Sequence, residues 1–201
     1  MRLKTKWNIK DKQHSLDEIG SAVAFTIWRI GQEVLLHLEN DGFETRTRAQ
    51  RMDVIGELSA FLIHLSDRLV FDRLDGEARM DFVNATARYL ANTMEENRRD
   101  IEPDGDHRAA FITLLNLRTD AYAECPFEEG VGPGFSMSRT IGDHVTAVMG
   151  DKDKKWITQQ VMDIEVPEAY KTLRRALFSL FGWENPHDAW RPPRGAKLGD
   201  E

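Results

Sequence analysis

Apolar residues recur every three or four positions along this chain, which is the spacing of one face of an α-helix. The first such stripe follows a capping box formed by Ser15 and Glu18 and lasts until Gly42; its members are Val23, Ile27, Ile30, Val34 and Leu38. Similar stripes follow over about 45–74 and 76–99, after Asp106, and in three shorter segments before Gly182. No run of alternating apolar and polar residues is long enough to predict a sheet. The pattern therefore predicts an all-α, single-domain helical bundle of about seven helices, with three long antiparallel helices first.

The distribution of charged residues, proline and glycine along the chain predicts its domain boundaries. The 201 residues suffice for one compact domain with its own core. We expect a basic N-terminal arm over 1–13, a helical domain over 14–182 and an irregular C-terminal tail over 183–201, which is interrupted by proline and glycine. Within the domain, the small residues of the third helix predict a central, closely packed position, and the loop over 125–134 is predicted to be a flexible connector.

Charge and cysteine content restrict the classes of partner. The formal net charge is -7, which gives no electrostatic attraction to phosphate backbones and argues against nucleic acid as a partner. No stretch of about 18 apolar residues occurs, so no membrane span is predicted. Cys125 is the only cysteine and cannot form an intrachain disulfide, which favours a reducing compartment and a cytoplasmic location.

The second helix carries a polar row beside its main apolar stripe. The row is Glu57, Phe61, His64, Arg68 and Phe71, with spacings typical of a surface that packs against another helix. Asp67 lies farther round and is predicted to face solvent. In one interpretation the polar residues determine which helix packs here. In the other they line a pocket in which His64, poised to titrate near neutral pH, binds an anionic or carbonyl ligand together with Glu57, Asp67 and Arg68.

A second set of side chains has the chemistry of a metal site. Glu33 and His37 lie one turn apart on the first helix, and Asp53 and Glu57 lie one turn apart on the second. If the two helices are antiparallel neighbours, the four side chains could converge on an iron or manganese ion. The Glu-x-x-His spacing of di-iron bundles is missing, however, and nearby arginines offer ordinary ion pairs to the same acids.

The pattern leaves two functional classes open. Apolar residues at the end of the second helix, and Tyr170 and Phe178 outside the core face of the last helix, predict a surface that a homodimer would cover. The first hypothesis is a dimerising protein that binds a partner or a small ligand without catalysis. The alternative is a metal-dependent enzyme or oxygen-handling protein that uses Glu33, His37, Asp53 and Glu57. No motif identifies a substrate or a cofactor.

Overall fold

A computed structural model describes residues 14–150 and 154–184, and that part of the chain is a single all-α domain, as predicted. Its helices are α1 (Leu16–Asn40), α2 (Arg48–Val70), α3 (Gly76–Arg99), α4 (His107–Tyr122), α5 (Phe135–Met149), α6 (Lys154–Gln160) and α7 (Val166–Phe181). Two strands of two residues each, β1 (Phe127–Glu128) and β2 (Gly132–Pro133), lie between α4 and α5.

Side-chain caps begin the first four helices. The Ser15 hydroxyl accepts from the Glu18 N–H while the Glu18 carboxylate accepts from the Ser15 N–H, which confirms the predicted capping box. Thr47, Asp75 and Asp106 accept from the first turns of α2, α3 and α4 in the same way. Because Thr47 is the cap, α2 begins three residues later than the stripe alone predicts.

The sixth and seventh predicted helices form one continuous helix. A π-helical turn over Val161–Glu165 joins α6 directly to α7, and the Val166 N–H donates to the Val161 carbonyl. Pro167 follows at once. Proline has no N–H and crowds the carbonyl four residues before it, and the wider π turn accommodates both without a break. The described residues therefore form six continuous helices, whereas proline at a first turn predicted a seventh.

Helix α2 lies at the centre of the bundle. Its side chains are covered by α1, α3, α4, α5 and α7, and Val54, Leu58, Phe61 and Leu65 are almost completely buried. Helix α3 packs on α1, α2 and α4, and its Ala85 meets Gly20 of α1. The prediction of α3 as the central helix was therefore wrong, because small side chains allow close approach on one side without requiring neighbours on every side.

Ion pairs show that α2 and α3 are antiparallel. Asp53 pairs with Arg98 near one end of the helix pair, and Asp67 pairs with Arg79 near the other. The two pairs align the helices along their length.

The predicted flexible connector contains a short hairpin. Phe127 pairs with Pro133 and Glu128 pairs with Gly132 in antiparallel register. The hairpin packs on α7, where the ring of Tyr170 lies against Phe127 and its hydroxyl donates to the Glu129 carbonyl. These contacts hold a segment whose glycines alone predict mobility.

The predicted terminal segments fall largely outside the described residues. The structure does not describe the basic arm over 1–13 or the tail from 185 onward. Trp183, the first residue of the predicted tail, follows the end of α7 and stacks on Phe181 with 4.2 Å between ring centroids. None of the described helices combines the length and the apolarity that crossing a bilayer requires.

Candidate functional site

The polar row of α2 packs against the end of α4. Arg68 donates from its guanidinium to the backbone carbonyls of Tyr122 and Ala123, and from Nε to His64 Nε2 at 3.2 Å. The Tyr122 ring covers His64 with 5.5 Å between centroids. His64 and Arg68 thus attach the last turn of α4 to α2, and the carbonyls that a helix end leaves without partners are satisfied by an arginine.

Burial keeps His64 neutral. The ring is only 6% exposed, and its burial, helped by the positive charge of Arg68, lowers its pKa from 6.5 to about 4. Because an arginine only donates, Nε2 accepts and the ring proton sits on Nδ1. The hypothesis that His64 titrates near neutral pH is therefore contradicted by the surroundings of the ring.

The buried carboxylate of Glu57 forms an ion pair with Arg118 of α4, whose side chain is partly exposed. Both carboxylate oxygens accept from the guanidinium, at 2.7 Å each, and Glu57 is 3% exposed. His144 of α5 lies beside this pair, with Nδ1 4.0 Å from a Glu57 oxygen and 3.2 Å from the Tyr122 hydroxyl. Burial raises the pKa of Tyr122 and lowers that of His144, which favours the neutral form of both hydrogen-bonded groups.

Asp67 does not face solvent as predicted. Its two oxygens accept from Arg79 of α3 at 2.5 and 2.6 Å, and this pairing raises the pKa of Arg79. The reason is that α3 turns back along α2 and brings a cation to this flank. Glu57, Asp67 and the His64–Arg68 pair consequently have three separate sets of partners.

Three of the four predicted metal ligands also have separate partners. His37 lies 3.3 Å from the Glu165 carboxylate, Asp53 pairs with Arg98, and Glu57 pairs with Arg118. Glu33 is exposed on α1. Within 14–150 and 154–184, no group of three or more His, Cys, Asp or Glu side chains is placed to hold a metal ion.

A cavity of about 360 Å³ lies between α2, α3, α4 and α5, and we call it the Gly56 cavity. Its charged side chains are Asp53, Glu57, Arg98 and Glu102, and its apolar walls are Met94, Phe111, Leu114 and Val148. Gly56 itself contributes no side chain, which leaves space in the middle of α2. Of the four residues predicted to bind a ligand, only Glu57 borders this cavity.

Two features of this region were missed from the sequence. Arg118 occupies the buried stripe of α4 with Phe111, Leu115 and Tyr122, at spacings of four, three and four. An arginine in such a stripe is unfavourable unless it pairs with a carboxylate, so the spacing itself indicates an ion pair at Arg118. Gly56 lies inside the continuous helix α2. A glycine in a helix interior often has a packing or functional reason, so its position also indicated this region.

No family model, curated protein or solved structure matches this chain. The geometry of the Gly56 cavity and of the neighbouring ion pairs therefore carries the functional argument.

Proposed function

We infer that this protein binds a small amine with an apolar body in the Gly56 cavity, without catalysing a reaction. The observation that carries the proposal is a cavity lined by Gly56, whose missing side chain widens it, and by the buried carboxylate of Glu57. A cavity of about 360 Å³ lies within the range of small-molecule sites.

Stability alone does not favour glycine at position 56. A glycine inside a helix is less favourable than alanine by about 1 kcal/mol. A Cβ added at Gly56 would lie 3.4 Å from the ends of the Leu114 and Met94 side chains, which are ordinary contacts with flexible groups. Alanine would thus fit and would stabilise the helix. A ligand that needs this space is a physical reason for glycine here.

The lining of the cavity favours a cationic ligand with hydrogen-bond donors. Three carboxylates, of Asp53, Glu57 and Glu102, face one guanidinium, of Arg98. Glu57 uses one acceptor site on each oxygen for Arg118, and each oxygen keeps a second site for an N–H of a ligand. Met94, Phe111 and Leu114 offer apolar contact to the rest of the molecule. These features together suit an ammonium group on a hydrocarbon body.

The histidines in and behind the cavity support binding rather than proton transfer. His107, which lines the cavity, donates from Nε2 to the Glu102 carbonyl at 2.7 Å. Behind the cavity, His64 and His144 both have pKa values lowered by burial, and each is hydrogen-bonded to a neighbouring side chain. A general base needs a pKa near the working pH and a free approach to the substrate.

Filling the cavity tests the proposal. We expect hexylamine to bind the full chain more tightly than hexanol, and hexanol more tightly than hexanoate, in isothermal titration calorimetry. Gly56→Leu should abolish hexylamine binding because the new side chain occupies the space. Gly56→Ala should weaken binding and raise the free energy of unfolding by about 1 kcal/mol.

Gly76→Ala is the matched control. Gly76 begins α3 and has no atom near its Cβ position, so this change should leave hexylamine binding unaltered. Absence of amine binding, or binding to Gly56→Leu with unchanged affinity, would contradict the proposal.

A second copy of the chain remains the proposed partner, and the cytoplasm the proposed location. Several large apolar side chains are more than half exposed, among them Leu36, Phe71, Phe135 and Trp156. Cys125 is a free thiol, and a lone thiol suits a reducing compartment.

A further inference from the structure

A second cavity, of about 510 Å³, lies between the hairpin and α7, and we call it the α7 cavity. Lys171, Arg174 and Arg175 of α7 line it, and Glu129 at the hairpin tip is the one carboxylate among its lining residues. Its chemistry is opposite to that of the Gly56 cavity, since cations outnumber acids three to one.

Helix geometry brings the three cations to one place. Lys171 lies three residues before Arg174 and four before Arg175, so all three project from neighbouring positions on one side of α7. Like charges at these spacings destabilise an isolated helix. A chain with a net charge of -7 nevertheless collects them around a single cavity.

Glu129 also pairs with an arginine outside α7. Its carboxylate accepts from the Arg73 guanidinium at 3.0 Å on each oxygen and lies 3.4 Å from Arg174. One negative charge is thus shared between two guanidinium groups. Lys171 pairs with Glu168 at 3.6 Å, but both side chains are about two-thirds exposed, and such a pair rearranges at little cost. Arg175 has no ion pair with any residue of the described part of the chain.

The start of α5 lies beside the cavity. Pro133 and Ser138, on either side of the first turn of α5, border the cavity. The N-cap of this helix is Gly134, which has no side chain to accept from the first amides. An uncapped helix start attracts anions through its free N–H groups and its dipole. Val166 and the Tyr170 ring supply apolar contact.

We propose that the α7 cavity binds a small organic anion through a carboxylate or phosphate group held by Lys171, Arg174 and Arg175. Guanidinium groups bind both kinds of oxyanion through paired, charge-assisted hydrogen bonds. This site is independent of the Gly56 cavity, because it uses different residues and a ligand of opposite charge.

Calorimetric titration of the full chain at low ionic strength tests this site, with inorganic phosphate, glycerol phosphate and succinate as probes. At least one probe should bind with a stoichiometry of one per chain. Tighter binding of the phosphates identifies a phosphate ligand, and tighter binding of succinate identifies a carboxylate. Arg175→Ala and Lys171→Ala should each weaken the binding about tenfold, as expected for a lost charge-assisted hydrogen bond.

Arg29→Ala is the matched control, since it removes the same charge from an exposed position inside α1. Binding to this variant should be unchanged. The proposal is overturned if no probe binds, or if Arg29→Ala weakens binding as much as Arg175→Ala does. All three substituted residues, Lys171, Arg175 and Arg29, are exposed, so the fold is expected to persist.

Discussion

Two arginines occupy positions that the apolar pattern assigns to buried helix faces. Arg118 falls in the stripe of α4, and Arg174 falls between Tyr170 and Leu177 in the stripe of α7. A buried guanidinium needs a carboxylate, and the two find Glu57 and Glu129. The spacing alone indicates that each arginine must be paired. It does not indicate the partner, because the chain contains 34 acidic residues.

The surroundings of His64 predict a dependence of stability on pH. The folded ring has a pKa of about 4 and the unfolded ring about 6.5, so the unfolded chain binds the proton first. The contribution of His64 to stability is therefore complete above pH 6.5 and is lost as the pH falls toward 4, by up to about 3 kcal/mol. Urea unfolding across this pH range measures the loss.

His64→Gln isolates this contribution from those of other groups. The glutamine carbonyl can still accept from Arg68 Nε, but it does not titrate. We expect the free energy of unfolding of the variant to fall less steeply between pH 6.5 and pH 4 than that of the natural chain. Parallel curves for the two proteins would show that His64 does not titrate as its burial requires.

Helix starts and helix junctions differ in how far local sequence predicts them. Ser15, Thr47, Asp75 and Asp106 accept from amides two or three residues inside the helix, so a short stretch of sequence contains the whole interaction. The junction of α6 and α7 depends on packing against the rest of the bundle, and Pro167 by itself predicted a new helix. The hairpin likewise depends on Tyr170, which lies about forty residues away along the chain.

The crossing of α1 and α3 depends on the absence of a side chain at position 20. A Cβ on Gly20 would lie 2.7 Å from Ala85 Cβ and 3.0 Å from the Thr86 backbone nitrogen. Gly20→Ala should therefore force the helices apart and lower the free energy of unfolding by roughly 1–3 kcal/mol, despite the better helix propensity of alanine. Denaturant unfolding of the purified variant measures the loss.

Removing the opposing methyl group should restore part of that stability. In the double variant Gly20→Ala with Ala85→Gly, the nearest clash is absent, and we expect a smaller loss than the two single changes predict by addition. Gly76→Ala, at an open position, controls for the change in helix propensity. A Gly20→Ala variant as stable as the natural chain would contradict the proposed close contact.

At the scale of the whole molecule, the chain itself covers part of the surface predicted for a partner. Tyr170 and Phe178 are buried, the first by the hairpin and the second beneath Arg73 and Trp183. Phe71 remains more than half exposed at the end of α2. Within 14–150 and 154–184, the large apolar side chains left at the surface are Leu36, Phe71, Met80, Leu117, Val131, Phe135, Trp156 and Ile164.

These exposed side chains still lead us to expect a homodimer. Light scattering coupled to size-exclusion chromatography should give a mass that rises toward twice that of one chain as the concentration increases. A mass of one chain throughout the micromolar range would contradict the expectation and would mean that these side chains remain in water, as isolated apolar residues commonly do.

The sequence by itself determined the helical class, the single domain and the starts of α1, α3 and α4, because apolar period and side-chain caps act within a few residues. Only the tertiary structure decided the partners of the polar residues. It placed Glu57 against Arg118, Asp67 against Arg79 and His37 against Glu165, and it left both cavities where helices diverge. Such pairs join residues far apart in the chain, and many acids and bases satisfy the same local pattern. The packing of the helices determines which of these acids and bases form pairs.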